Sequence, residues 1–163
     1  MKKVLLGAFA VLLSTGVFAQ NQDLPTTLVR DINGKQVAFN ETIEKGKVTI
    51  VSFWATWCIP CKQEIKNIKT KLPDWQKEAD FNYMTVSIDD SRATALVKTY
   101  SKSQGWTFPV YLDPNSDLKR SLNFQNVPFT MIVDKNGKIV FQHTGYEEGS
   151  ENILFDKVKE LSK

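Results

Sequence analysis

Cys58 and Cys61 are the only cysteines in the chain, three residues apart in Trp57-Cys58-Ile59-Pro60-Cys61. At that spacing, on the first turn of a helix, two sulfurs share one face and lie close enough to bridge. The run before them, Val48 to Trp54, is β-branched and apolar and reads as a buried strand. The residues after them are polar, with apolar positions at helical spacing. A C-x-x-C pair where a strand passes into a helix is a layout for thiol–disulfide chemistry. Cys58 then sits at the helix N-terminus, where free backbone N–H groups and the dipole favour an anion. A thiol there becomes a thiolate near neutral pH. Cys58 is the expected nucleophile and Cys61 the thiol that resolves a mixed disulfide.

Rival uses of the pair divide unevenly. Haem attachment requires histidine after the second cysteine, and residue 62 is Lys. A zinc site takes four ligands, whereas the chain has two cysteines and one histidine. Copper(I) can be held by two thiolates alone, so a copper(I)-binding carrier using the same two cysteines is the alternative reading, although Pro60 stiffens the loop into a helix start. A binding module with an inert structural disulfide is a third. Closing so short a loop adds little stability, which favours chemistry over stapling. The expectation is an enzyme with no cofactor and no metal beyond its redox-active Cys58–Cys61 pair.

Residues 1–19 read as a secretory signal peptide: Met1-Lys2-Lys3, an almost wholly apolar Val4 to Val17, and small residues at Val17 and Ala19 before the cut. An uncleaved anchor is the alternative, but the apolar run falls short of a full span. Removal leaves one domain, 20–163, of a size that carries a substantial core. Lys2 and Lys3 leave with the peptide, which lowers the net charge of +3 by two. Nothing in that balance points to nucleic acid or a membrane surface. Lys62, Lys66 and Lys69 read as one solvated helix face.

The elements that must position the dithiol follow in order. Residues 20–27 are a polar lead-in. Leu28 to Ile32 and Gln36 to Phe39 flank Asn33-Gly34, a two-residue hairpin signal. The core strand 47–54 comes next, then a helix from Pro60 with Ile65, Ile68, Leu72 and Trp75 inward and Pro73 set to kink or end it. Phe81 to Ile88 is a second core strand with Met84, Val86 and Ile88 inward, completing a parallel right-handed β-α-β unit. Ser91 would cap a helix from Arg92 to about Ser103 carrying Ala95, Leu96 and Tyr100, stopped by Gly105. Trp106 to Leu112, interrupted by Pro109, reads as an edge strand at best. A turn at 113–115, a short helix around Leu118 to Phe124 and a hairpin of Phe129 to Val133 with Lys138 to His143 follow. Ser150 would cap a last helix with Ile153, Leu154, Val158 and Leu161 inward. His143 reads as a solvated strand residue, and Tyr100, Trp106 and Tyr111 as core or edge fillers. From spacing, Glu64 lies one turn beyond Cys61 on the same side and lacks a lysine four residues on, so a surface role and a functional role stay open.

Phe53-Trp54-Ala55-Thr56-Trp57-Cys58-Ile59-Pro60-Cys61 and Glu64 together resemble thioredoxin-like proteins of the TlpA/ResA type. The likeness extends to Phe108-Pro109-Val110, Asp113-Pro114, Val127-Pro128, Ile132-Val133-Asp134 and Gly137-Lys138-Ile139-Val140. It implies an α/β thioredoxin fold with an N-terminal β-hairpin extension and an inserted helix-strand segment, its mixed central sheet flanked by helices. It also implies extracytoplasmic reductase work in the periplasm on protein thiols and disulfides, often those of apocytochrome c, with electrons from a membrane thiol carrier. On this resemblance Glu64 accepts and donates the proton at Cys61 and tunes Cys58. From the residues alone a trans Val127–Pro128 bond is the default, but the resemblance implies that it is cis, lies beside the dithiol and exposes the preceding backbone to substrate. Trp57, beside the dithiol, is expected to shield it and to line the docking surface with Ile59 and Pro60, core packing being the alternative for Trp57. Three positions depart from the pattern. Ser52 and Thr85 stand where many thioredoxins pair an aspartate with a lysine, which leaves proton handling to Glu64 or water. Lys66 stands where proline is common, and Phe129 follows the cis proline in place of a smaller residue.

Overall fold

The computed structural model describes residues 22–163; the expected signal peptide at 1–19 lies outside them. One eight-stranded sheet runs from edge to edge through β1 (Gln22–Asp23), β8 (Lys138–Thr144), β7 (Phe129–Val133), β4 (Val48–Trp54), β5 (Phe81–Ser87), β6 (Val110–Leu112), β2 (Leu28–Asp31) and β3 (Gln36–Ala38). Its centre is β4 (Val48–Trp54), every residue of which is buried. A strand that is apolar or β-branched at every position but Ser52 is satisfied with both faces covered. β4 pairs parallel with β5 (Phe81–Ser87) and antiparallel with β7 (Phe129–Val133). Alternate residues feed two cores. Ile50, Trp54 and Tyr83 face α1 (Ile59–Glu78) and α4 (Glu151–Ser162). Val51, Phe53, Met84 and Met131 face the other way, closed by Phe39, Phe124 and Leu118 of α3 (Asp117–Ser121). Phe124 stacks on Phe129 at 4.2 Å between ring centroids, and Trp75 of α1 stacks on Phe155 of α4 at 4.6 Å.

Several expectations are corrected. The hairpin of β2 (Leu28–Asp31) and β3 (Gln36–Ala38) closes through a three-residue loop, not two. Asp31 N–H donates to Lys35 O, Gly34 N–H donates to Asp31 O, and the Asp31 carboxylate accepts from Asn33 and Lys35 N–H. Gly34, at φ 92°, supplies the left-handed step such a loop needs. Asp134-Lys135-Asn136-Gly137-Lys138 repeats the arrangement between β7 and β8 (Lys138–Thr144). Pro73 does not end α1, which runs twenty residues through it. The proline costs one backbone bond on an exposed face, while the buried stripe of Ile65, Ile68, Leu72 and Trp75 holds the helix on the sheet.

β6 (Val110–Leu112) is not an edge strand: it lies between β5 and β2, with Pro109 just before it contributing only its carbonyl, to Thr85 N–H. β1 (Gln22–Asp23), within the expected lead-in, pairs with β8 at the opposite edge. Asp90, not Ser91, caps the start of the next segment, a 3-10 turn that leads into α2 (Thr94–Ser103). α2 buries Val97 and Ser101 and leaves Leu96 in solvent. Ile88 falls beyond β5 and is half-buried. Ser150 makes no side-chain cap, and α4 turns Leu154, Phe155 and Val158 inward, with Ile153 60% exposed.

Candidate active site

Chain direction places the dithiol. β4 delivers the chain to its C-terminal end, where Ala55 to Trp57 turn into α1. Cys58 is the residue that caps α1, in an extended conformation (φ −88°, ψ 101°), with Pro60 in the first turn. No acidic residue lies in that first turn, so in the reduced state the unpaired N–H groups would have the Cys58 thiolate as their anion. Cys61 N–H donates to Cys58 Sγ at 3.3 Å. The two cysteines form a disulfide, with Cα atoms 5.4 Å apart. Cys58 keeps 4% exposure and Cys61 none, so only the first sulfur is open to an attacking partner.

Asp89, which the sequence reading passed over, holds this turn in place. Its buried carboxylate accepts from Thr56 N–H at 2.8 Å, Thr56 Oγ1 at 2.7 Å and Ser87 Oγ at 2.7 Å. The residue two before Cys58 is thereby tied to the end of β5. Lys62 reaches back to donate to Thr56 O at 3.0 Å, its ammonium 5.6 Å from the Tyr100 ring centre. It is an engaged, half-buried residue, not part of a freely solvated lysine face. An Asp two residues after a Ser at a strand end was the one available signal.

Glu64 is not a surface residue. One turn beyond Cys61, it points into the sheet at 2% exposure. Thr130 Oγ1 donates to its Oε1 at 3.0 Å, while Oε2 is buried without a partner. Burial pushes its pKa up to about 7; the Thr130 bond works against that shift and the Glu151 charge adds to it. Ser52 and Thr85 are paired in register on the same face, and Ser52 is paired with Thr130. Thr130 Oγ1 lies 3.3 Å from Ser52 Oγ; having one proton, it donates to Glu64 and accepts from Ser52. Hydroxyls thus occupy the positions of the absent aspartate–lysine pair.

Across α1, Glu151 at the start of α4 accepts from Lys71 Nζ at 2.7 Å, Tyr146 Oη at 3.0 Å and Gly149 N–H at 3.0 Å. Burial works against its charge, but Lys71 and the hydrogen bonds outweigh it and hold this carboxyl below its usual range. Two buried glutamates therefore differ in kind: Glu151 is paired, and Glu64 is not.

The Val127–Pro128 bond is cis. It directly precedes Phe129, which pairs with Phe53, so it sits at the end of β4 from which the Cys58 turn departs. Val127 packs, half-buried, against the cluster that holds both cysteines. Pro128 is buried, and its carbonyl accepts from Gly145 N–H at 2.8 Å. Trp57 is 68% and Ile59 75% exposed, so Trp57 is not a core residue. Two of the five exposed large hydrophobics among the described residues thus flank Cys58. His143 is exposed on β8.

Fold and dithiol define the class, a thioredoxin-like thiol–disulfide oxidoreductase. The chain belongs to the AhpC/TSA family, whose model matches residues 19–142. Its backbone is similar to a thioredoxin-like protein from Porphyromonas gingivalis, 43% identical, with TM-score 0.76 over 90% of this chain and 94% of that one. It is similar also to a thio-disulfide isomerase from Thermus thermophilus, 25% identical, with TM-score 0.65 over 88% and 97%. In sequence it is 28% identical over 148 residues to the thiol-disulfide oxidoreductase ResA of Bacillus subtilis, which covers 87% of this chain and 80% of the relative.

Proposed function

We propose that the chain is an extracytoplasmic reductase of protein disulfides that works by dithiol–disulfide exchange through Cys58 and Cys61. One observation carries this: a helix-capping sulfur receives a backbone N–H, and a buried carboxyl able to hold a proton near neutrality lies one turn beyond the second cysteine. In the reduced state, Cys58 thiolate attacks one sulfur of a substrate disulfide. A mixed disulfide forms, and the other substrate sulfur leaves as a thiolate that takes a proton from water. Glu64 carboxylate accepts the Cys61 proton, and the Cys61 thiolate attacks Cys58 Sγ. The second substrate sulfur departs as a thiolate that takes a proton from water, and Cys58–Cys61 closes, so the dithiol gives up two electrons and the substrate disulfide gains them. Trp57, Ile59 and Pro60 supply apolar docking surface, and Val127, ahead of Pro128, offers backbone hydrogen bonds.

The charged, then apolar, start of the sequence supports export and a periplasmic location. A membrane thiol carrier is the reductant this arrangement calls for, and apocytochrome c thiols are one substrate class that fits. No nucleic-acid partner and no added cofactor enter the scheme. A Cys61→Ala variant tests it. With no resolving thiol, it should remain covalently joined to substrate proteins through Cys58 and release them to dithiothreitol. An unmodified Cys58 after exposure to exported proteins would refute it. The copper(I) carrier is separated by titrating copper(I) into reduced protein: tight binding with no insulin reduction would favour the carrier.

A further inference from the structure

Glu64 must lose a proton to solvent after each closure of the disulfide, if the exchange proposed above operates, yet it is 2% exposed and Cys61 beside it is fully buried. Among the described residues, a cleft reaches it from outside. A cavity of about 20 Å³ is lined by Glu64, Phe141, His143, Ser150, Ile153 and Leu154. That volume admits a single water. Phe141, Ile153 and Leu154 make its wall apolar, while Glu64, His143 and Ser150 bring the polar groups a water needs. The register supplies a second, independent observation. Ser52 pairs with Thr130 and Thr130 with His143, and directly opposed residues put their side chains on one face of a sheet. Three polar side chains therefore line up on the face covered by α1 and α4, running from the buried centre to an exposed imidazole. Glu64 Oε2, buried and unpartnered, is the atom left to meet the water.

We propose that Glu64 exchanges its proton with bulk solvent through this cleft between β8 and α4, by way of one water and His143. The Cys61 proton passes to the Glu64 carboxylate, from the carboxyl to the water, and from the water to an imidazole nitrogen of His143. Imidazolium then releases it outside, and reduction of the disulfide runs the path backwards. One proton moves and no electrons travel with it. Imidazole suits the rim because it has two ring nitrogens, one able to accept a proton from the cleft side and the other to give one up on the outer side. Other groups facing Glu64 are unsuited. Ser52 and Thr130 are neutral hydroxyls. Burial holds the Tyr83 phenol protonated, far above its usual range, and Glu151 is engaged by Lys71.

The test reads the Glu64 proton itself, in oxidised protein without substrate, so it stands apart from whether the chain reduces disulfides. Carbon relaxation dispersion on the Glu64 carboxyl, at its titration midpoint, gives the rate of proton exchange. In His143→Gln, an exposed site where folding is checked by the amide spectrum, that rate should fall by about tenfold or more and recover on adding imidazole. Ile153→Trp, which fills the rim, should slow it as well and resist rescue. An exchange rate in His143→Gln equal to that of the parent, or a fall that imidazole does not restore, would overturn the relay. Loss of insulin reduction in the parent with the exchange result intact would instead remove the reductase reading.

Discussion

Replacing Glu64 by Gln isolates a buried carboxyl with one oxygen left unpartnered. Native Glu64 has a pKa raised from 4.5 to about 7, chiefly by burial. A carboxyl with a raised value holds its proton more tightly in the native state than in the unfolded chain. Its stabilising contribution is therefore complete below the unfolded value and is lost as pH rises through about 7. With about 1.4 kcal/mol for each tenfold change in proton affinity, the interval corresponds to ~3 kcal/mol. For a chain of this length that is about 10 °C in melting temperature. Gln keeps the shape and an oxygen for the Thr130 hydroxyl, and it cannot ionise. Urea unfolding of both oxidised proteins, at about pH 5 and about pH 8, gives the comparison. The parent should lose ~2.5 kcal/mol relative to Glu64→Gln across that range, because the unfolded carboxyl is already largely ionised at about pH 5. Parallel pH dependences in the two proteins would refute the burial argument.

Asp89→Ala strips the acceptor from Thr56 and Ser87; unfolding should show a loss of ~2–4 kcal/mol, and alkylation of reduced Cys58 should slow as its turn loosens. Glu151→Ala leaves Lys71 and Tyr146 without their shared partner and should cost ~1–3 kcal/mol in urea unfolding. Trp57→Ala removes an exposed side chain, so stability should stay within about 0.5 kcal/mol while kcat/KM for insulin falls by roughly fivefold or more. Reduced Cys61→Ala protein should be alkylated at Cys58 at pH values well below the range in which free cysteine, near about 8.5, reacts.

Local signals carried the site and missed its supports. The run Val48 to Trp54, meeting a C-x-x-C and then a helical stripe, places strand, cap and helix with no tertiary information. Glu64 was legible as a neighbour of Cys61, but its burial depends on Thr130, sixty-six residues away, and spacing cannot report that. Asp89 and Thr56 meet only because β5 lies beside β4. β6 looked like an edge because Pro109 precedes it; its inner place follows from the β2–β3 hairpin docking outside it. On α2 and α4, Leu96 and Ile153 fit an apolar stripe but fall outside the buried arc, where Val97 and Phe155 take their places. Periodicity fixes a helix, whereas the angle at which it packs decides which margin of the stripe is covered. His143 was legible as an exposed strand residue, and only the cross-strand pairing with Thr130 brings it to the cleft over Glu64.

The most direct measurement uses reduced protein, freed of reductant and mixed with insulin, with thiols on both partners counted by mass spectrometry. Cys58 and Cys61 should disappear together into their disulfide as insulin disulfides open, in equal numbers. Insulin left intact while both cysteines stay reduced would contradict the proposed exchange.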